Sequence, residues 1–171
     1  DLFKYDGTKE LEWLNHKYEP IELTAPQNLM AEATGTTTIR LSWNPVDGAT
    51  SYNVYDGNDV PFATTADNIF EITELTPGTQ YCYTVTSATA DNESEKPSAV
   101  CTKTITLAPQ NLVATAKGSS SIELKWDAVT GAERYVVYKD SEVLAQFVTK
   151  TPYVVEGLTQ ATEYCFTVKS V

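Results

Sequence analysis

The chain has 171 residues, a formal net charge of −11 and a pI near 4.4. So large an excess of carboxylates argues against nucleic acid or an anionic membrane face as partner. With 42% apolar and 20% charged residues the composition is that of a folded chain. No stretch approaches the roughly 18–20 apolar residues that cross a bilayer, which argues against membrane insertion, and no signal-peptide pattern opens the sequence. Twenty-five threonines and 10 tyrosines stand against a single methionine, an inventory that favours strands over helices.

In chain order, residues 1–24 stand apart from the rest of the chain. Leu2-Phe3-Lys4-Tyr5, Asp6-Gly7 and Glu10-Leu11-Glu12-Trp13-Leu14 predict a strand, a turn and a second strand. They read either as the tail of a preceding domain of another type or as a cap on the next. Beyond them Ala25-Pro26-Gln27-Asn28-Leu29 recurs as Ala108-Pro109-Gln110-Asn111-Leu112, 83 positions later. The same offset carries Trp43 to Trp126, Tyr52 to Tyr135, Leu75 to Leu158 and Tyr81-Cys82 to Tyr164-Cys165. Residues 25–88 align with 108–171 without a gap, at 26 identities in 64 positions, so one structural unit has been duplicated. The expected division is a head over 1–24, a complete unit over 25–107 and a second over 108–171 that stops about 19 residues short of the first.

Within each unit the apolar residues recur with period 2, as a half-buried strand requires. Ile39-Arg40-Leu41-Ser42-Trp43 alternates, and its copy Ile122-Glu123-Leu124-Lys125-Trp126 keeps the alternation while changing every outward residue. Turn signals come next, at Asn44-Pro45-Val46-Asp47-Gly48 and Asp127-Ala128-Val129-Thr130-Gly131. Strands are then predicted at Tyr52–Tyr55 and Tyr135–Tyr138. A later pair puts Tyr81, Tyr83 and Val85 on one face, and Tyr164, Phe166 and Val168 on the copy's. Short strands with no helical period imply a two-sheet antiparallel sandwich, with Trp43 and Trp126 in its core.

These residues resemble the fibronectin type III family. The likeness rests on Pro26 and Pro109 before the first strand, Trp43 and Trp126 in strand B, and the Tyr-x-Val of strand C. It extends to Leu75-Thr76-Pro77-Gly78-Thr79-Gln80-Tyr81, similar to the family's corner between strands E and F. There a tyrosine hydroxyl bonds back to nearby backbone, which assigns that role to Tyr81 and, by analogy, Tyr164. The second unit reads Leu158-Thr159-Gln160-Ala161-Thr162-Glu163-Tyr164 and lacks the Pro-Gly pair, so a looser corner is expected. The resemblance implies an all-β chain of tandem immunoglobulin-like sandwiches, the second lacking its last strand. Ala-Pro-Gln-Asn-Leu, Gly-Ala-x-x-Tyr-x-Val-Tyr and Tyr-Cys-x-Thr-Val also look like modules of secreted or cell-surface bacterial proteins of the Bacteroidetes or Firmicutes. Adhesins, proteases and glycosidases there carry such modules, which implies a setting more firmly than a role.

Cys82 lies on the strand-F face opposite Tyr81, Tyr83 and Val85, and Cys101 falls on the predicted strand G beside it. A Cys82–Cys101 disulfide across the two strands is expected, and with it an oxidising, extracytoplasmic compartment. Two free surface thiols are the competing reading; a zinc site would lack a Cys-x-x-Cys and have only His16 as imidazole. Cys165 is left unpaired, because Cys101 plus the offset falls at 184, past the last residue; loss of strand G by truncation is the simplest account. The resulting open edge could accept a strand from the head of a neighbouring molecule.

Nothing in the sequence assembles a catalytic apparatus. A Ser-His-Asp or Cys-His arrangement would have to use His16, and no phosphate-binding glycine motif occurs. Asp56-Gly57-Asn58-Asp59 and Asp91-Asn92-Glu93 hold oxygen ligands, but Pro61 stands where a calcium loop needs glycine, and turn formation explains both clusters. No metal site and no cofactor are assigned. Asn92-Glu93-Ser94 has the form of a glycosylation sequon, without that meaning in a bacterial protein, and no Arg-Gly-Asp occurs. Alternation points Tyr55 and Tyr138 away from the core, where they could stack on sugar rings or merely cover a neighbouring strand.

The reading is therefore a non-catalytic structural or adhesive tandem, secreted or at the cell surface. It would act as a spacer between neighbouring domains of a longer chain, the linker Thr106-Leu107-Ala108-Pro109 bending little. One alternative is an adhesin module for a glycan or host surface protein; another is an accessory region of a secreted glycosidase or protease.

Overall fold

The computed structural model describes residues 22–171, so the strand pair and His16 of the head lie outside the described residues. The described chain forms thirteen strands and no helix. In the first unit they are β1 (Met30–Ala33), β2 (Ile39–Ser42), β3 (Ser51–Tyr55), β4 (Ala63–Thr65), β5 (Ile69–Ile72), β6 (Gln80–Ala88) and β7 (Val100–Lys103). Alternation decides their faces: Ile39 and Leu41 of β2 are fully buried while Arg40 between them is exposed. The strands form a three-stranded sheet, β1-β2-β5, packed on a four-stranded one, β4-β3-β6-β7, with every pairing antiparallel. Ile39, Leu41, Trp43, Tyr52, Val54, Ile72, Tyr83 and Val85 fill the space between them.

The second unit repeats the plan with β8 (Val113–Ala116), β9 (Ile122–Lys125), β10 (Tyr135–Lys139), β11 (Glu142–Val148), β12 (Tyr153–Val155) and β13 (Phe166–Ser170). Its sheets are β12-β9-β8 and β11-β10-β13, closed over Leu124, Trp126, Tyr135, Val137, Val148, Val155 and Leu158. No strand flanks β13 on its far side among the described residues. Each tryptophan meets a tyrosine edge-on, Trp43 with Tyr52 at 5.3 Å and Trp126 with Tyr135 at 5.2 Å. The same tyrosines hold a loop: the hydroxyl of Tyr52 accepts from Val46 N and that of Tyr135 from Val129 N, both at 2.9 Å. Truncating fully buried Leu41 or Leu124 to alanine would cost about 2–5 kcal/mol, because neither site can collapse without moving both sheets.

The corner before β6 is a tyrosine lock in which Tyr81 Oη accepts from Thr76 N at 3.0 Å. The looser counterpart expected in the second unit is not found: Tyr164 Oη accepts from Thr159 N at 2.9 Å. Ala161 adopts the left-handed conformation there, φ 57°, that Gly78 adopts at 61° in the first unit. An alanine is strained in that region, yet the turn forms because the tyrosine bond and the flanking strands over-determine it.

Candidate functional site

Three places carry the chemistry of this chain: the outer face of the β4-β3-β6-β7 sheet, the loops beside it, and the junction between the units. On the outer face Cys82 and Cys101 stand opposite each other in the β6–β7 register, 4.0 Å apart at Cα, and form a disulfide. Cys165, at the repeat position of Cys82, is a free and exposed thiol just before β13.

Strand β6 changes partner along its length. Gln80–Tyr83 pair with β7, whereas Thr84–Ala88 pair with β3, leaving the far edge of that second half to the loop after it. The loop folds back to fill this edge. Ser94 N donates to Ser87 O at 2.9 Å, Ser87 N to Ser94 Oγ at 3.1 Å, and Ala88 bridges Glu93. The Glu93 carboxylate accepts short hydrogen bonds from both Tyr55 Oη and Thr86 Oγ1. Lys96 closes the stack, its Nζ lying 3.9 Å from the centre of the Tyr55 ring.

Tyr55, for which an outward direction leaves open either a sugar-stacking face or a cover over its neighbours, is therefore only 4% exposed. Its ring does leave the core face, but the β6–β7 loop covers it, anchored through Glu93. Burial opposes the Glu93 charge, but bonds from Thr86, Tyr55 and Asn53 and the nearby Lys96 outweigh it and hold the carboxyl below its ordinary value of 4.5. The Tyr55 phenol moves up, from burial first and then from its bond to that carboxylate. Tyr138 is half-buried in the other unit, with Lys169 Nζ 5.1 Å from its ring centre. The two tyrosines lie in different units under different covers.

The acidic loops are bends held by local side-chain hydrogen bonds. Asp56 Oδ1 accepts from Asn58 N at 3.3 Å and from its side-chain amide at 2.7 Å, while Lys96 Nζ lies 3.7 Å from Asp59. Asp91 and Asn92 are held through Thr89 Oγ1. Among the described residues no group of three or more His, Cys, Asp or Glu is placed to hold a metal.

At the junction the corner of the first unit meets the β9–β10 loop of the second. Gly78 and Gly131 touch through backbone alone: a Cβ on Gly131 would fall 2.3 Å from Gly78 O, and one on Gly78 would fall 3.0 Å from Thr130 O. Both glycines are left-handed, φ 61° and 79°. Ser170 Oγ, at the end of β13, donates to Leu107 O at 2.5 Å and lies 2.8 Å from Thr106 Oγ1, tying the linker to the unit it enters. Lys103 Nζ and Glu133 Oε1 add an ion pair at 3.1 Å. Buried Thr104 secures the corner from behind, donating to Thr76 O at 2.7 Å and accepting from Thr79 N at 3.0 Å.

The fibronectin type III domain model matches residues 24–104 and again 107–171. The chain belongs to the fibronectin type III family. Chitinase A1 of Niallia circulans is similar to this tandem at 36% identity over 170 residues, covering 88% of the chain and 24% of that protein. Exoglucanase B of Cellulomonas fimi is 31% identical over 165 residues, covering 86% of the chain and 15% of its own length. The fibronectin type III pair thus spans a quarter or less of these two relatives. A two-domain fibronectin type III segment of chicken tenascin superposes with a TM-score of 0.51 at 17% identity, over 86% of this chain and 91% of that one, which shows the shared fold. Two features of these modules escape sequence reasoning: the Glu93 anchor and the glycine–serine junction. The second left a signal, because Gly48/Gly131 and Ser87/Ser170 are identities of the repeat.

Proposed function

We propose that this fibronectin type III tandem is a non-catalytic spacer of a secreted bacterial protein, fixing the distance and angle between the domains on either side of it. The observation that carries this reading is the junction. The two modules meet through glycine backbones, and the Ser170 hydroxyl ties the linker down at Leu107, a joint that supports a fixed angle over a freely flexing linker. The disulfide fits an oxidising compartment outside the cytoplasm. Similarity to chitinase A1 and exoglucanase B supports one form of the role, an accessory region of a secreted polysaccharide hydrolase whose catalysis resides elsewhere. With Tyr55 covered, the adhesive alternative loses one of its two named aromatics.

Stiffness is directly measurable. Nitroxide labels on Glu71→Cys and Val154→Cys, exposed equivalents on the two modules, in a Cys165→Ser background should give a single narrow distance distribution. A broad one would refute the spacer reading, as would saturable binding to insoluble chitin or cellulose that Tyr138→Ala abolishes.

A further inference from the structure

The two modules close one side of the sandwich differently. In the first, Phe62 plugs the gap between the sheets, its ring centre 6.2 Å from that of Phe70 and 6.0 Å from that of Tyr83. The repeat keeps aromatics at both receiving positions, Tyr153 and Phe166, but puts Ala145 where the plug stood. A groove of about 520 Å³ opens there, lined by Ala145, Val148, Pro152, Tyr153 and Val154. Two positions along, Phe147 replaces Thr64 and stands 77% exposed at the groove's rim. Arg134 steadies it, its guanidinium 5.0 Å from the ring centre and donating to Gln146 O at 2.9 Å. The second module thus has a socket without its plug and, beside it, a plug without a socket.

The edge strands bounding this side differ in the same sense. β4 has three residues, Pro61 precedes it, and the acidic Asp59 and Asp67 lie at its two ends, devices that keep an edge from pairing with its like. β11 has seven residues, with Leu144 in place of Pro61. Glu142 and Lys150 replace Asp59 and Asp67, so the charges at its two ends are opposite. A two-fold axis through Gln146 therefore sets Glu142 against Lys150 of a second copy at both ends. The same axis sets Phe147 against Ala145 of that copy, plug to socket. Applied to the first module, it would bring Asp59 against Asp67 twice. The β10–β11 register shifts twice, so the contact between copies is carried by side chains across the edge and not by a continuous ladder.

We infer that this side of the second module is a two-fold interface between copies of the chain, each Phe147 seated in the groove that Ala145 leaves in the other. Val143 and Leu144, 48% and 39% exposed, extend the apolar strip along the same edge. Such a contact is isologous and closes at the dimer. The inference goes beyond the spacer reading and does not depend on it, since single and paired tandems can be equally stiff.

Sedimentation equilibrium of the full chain tests it, in a Cys165→Ser background that removes dimers made by the free thiol. The expected result is a reversible equilibrium between monomer and dimer. Ala145→Phe, which restores the first module's plug, should yield a monomer, and Phe147→Ser should weaken the dimer roughly tenfold or more. Lys150→Glu should weaken it too, and adding Glu142→Lys should restore it, a rescue that a misfolded variant would not show. A monomer at every concentration overturns the inference, whether residues 1–21 cover the groove or nothing does. So does a dimer indifferent to Ala145→Phe and Phe147→Ser, which would lie on another surface. Because Val154 borders the groove, chains labelled for the intermodule distance are diluted into unlabelled ones, which keeps the two tests separate.

Discussion

The disulfide makes the two modules unequal, and the inequality can be measured. Cys82 and Cys101 are 19 positions apart, and closing a loop of about 20 residues removes roughly 3 kcal/mol of chain entropy from the unfolded state. The bond also staples β6 to β7, the strand whose Thr104 end secures the corner against Thr76 and Thr79. The second module has no bond of this kind among the described residues, since Cys165 is free. For a module of this size about 1 kcal/mol corresponds to roughly 4–8 °C, so replacing both cysteines by alanine should lower the first module's melting by roughly 12–24 °C. Differential scanning calorimetry should therefore show one transition moving and the other holding still. The same result should come from reductant, with no added effect of reductant on the double variant. If both transitions move together, or neither moves, the modules do not respond separately and the stapling argument fails.

Three further outcomes turn on single residues. Ala161→Gly should stabilise the second module by about 0.5–1 kcal/mol, the left-handed strain of alanine less the extra unfolded-state freedom of glycine, read as a rise in its denaturant midpoint. Burial pushes the Tyr83 phenol up from 10.0 to about 12, so the stability it contributes is complete below pH 10 and is lost as pH rises toward 12. Raising the pH from 10 toward 12 should lower the first module's midpoint more than the second's, which has Phe166 at that position, and Tyr83→Phe should shrink that shift, leaving the smaller part that comes from Tyr55. Glu93, held below 4.5 in the folded protein, contributes stability that is present above that value and lost as pH falls through its lowered one. Amide exchange at Ser87 and Ser94 should accelerate in that acid range, and Glu93→Gln should abolish the dependence.

The sandwich was legible because its causes are local and repeated. Alternation in Ile39-Arg40-Leu41 needs no distant partner to be read, and Ala-Pro-Gln-Asn-Leu recurs because each residue has a task. Pro26 is buried, the Gln27 and Gln110 amides each bond two residues back at 3.0 Å, and Asn28 and Asn111 both take φ 55°. The short edge strands β4, β5 and β12 were not individually foreseen, since three or four residues carry too little period. The cover over Tyr55 was not legible for a different reason. Alternation gives the direction of a side chain but not what folds over it, and the cover depends on Glu93, 38 positions away. The junction left its signal in the repeated glycine and serine, but contact between two glycine backbones gives that signal no chemical signature to interpret.

A contact between backbones also makes the junction insensitive to salt. Lys103 is partly and Glu133 largely exposed, and at physiological salt charges are screened beyond about 8 Å, so their pull weakens as ionic strength rises. Contact between Gly78 and Gly131 is excluded volume, which salt does not screen, and the Ser170 tether is an uncharged hydrogen bond. Orientation should then survive high salt even where the ion pair does not. Lys103→Ala should leave the distance between the two modules unchanged, whereas Gly131→Val should shift it and widen its spread. A side-chain-built joint would respond the other way round, and that reversal in the spin-label distances would place the angle's control in the ion pair.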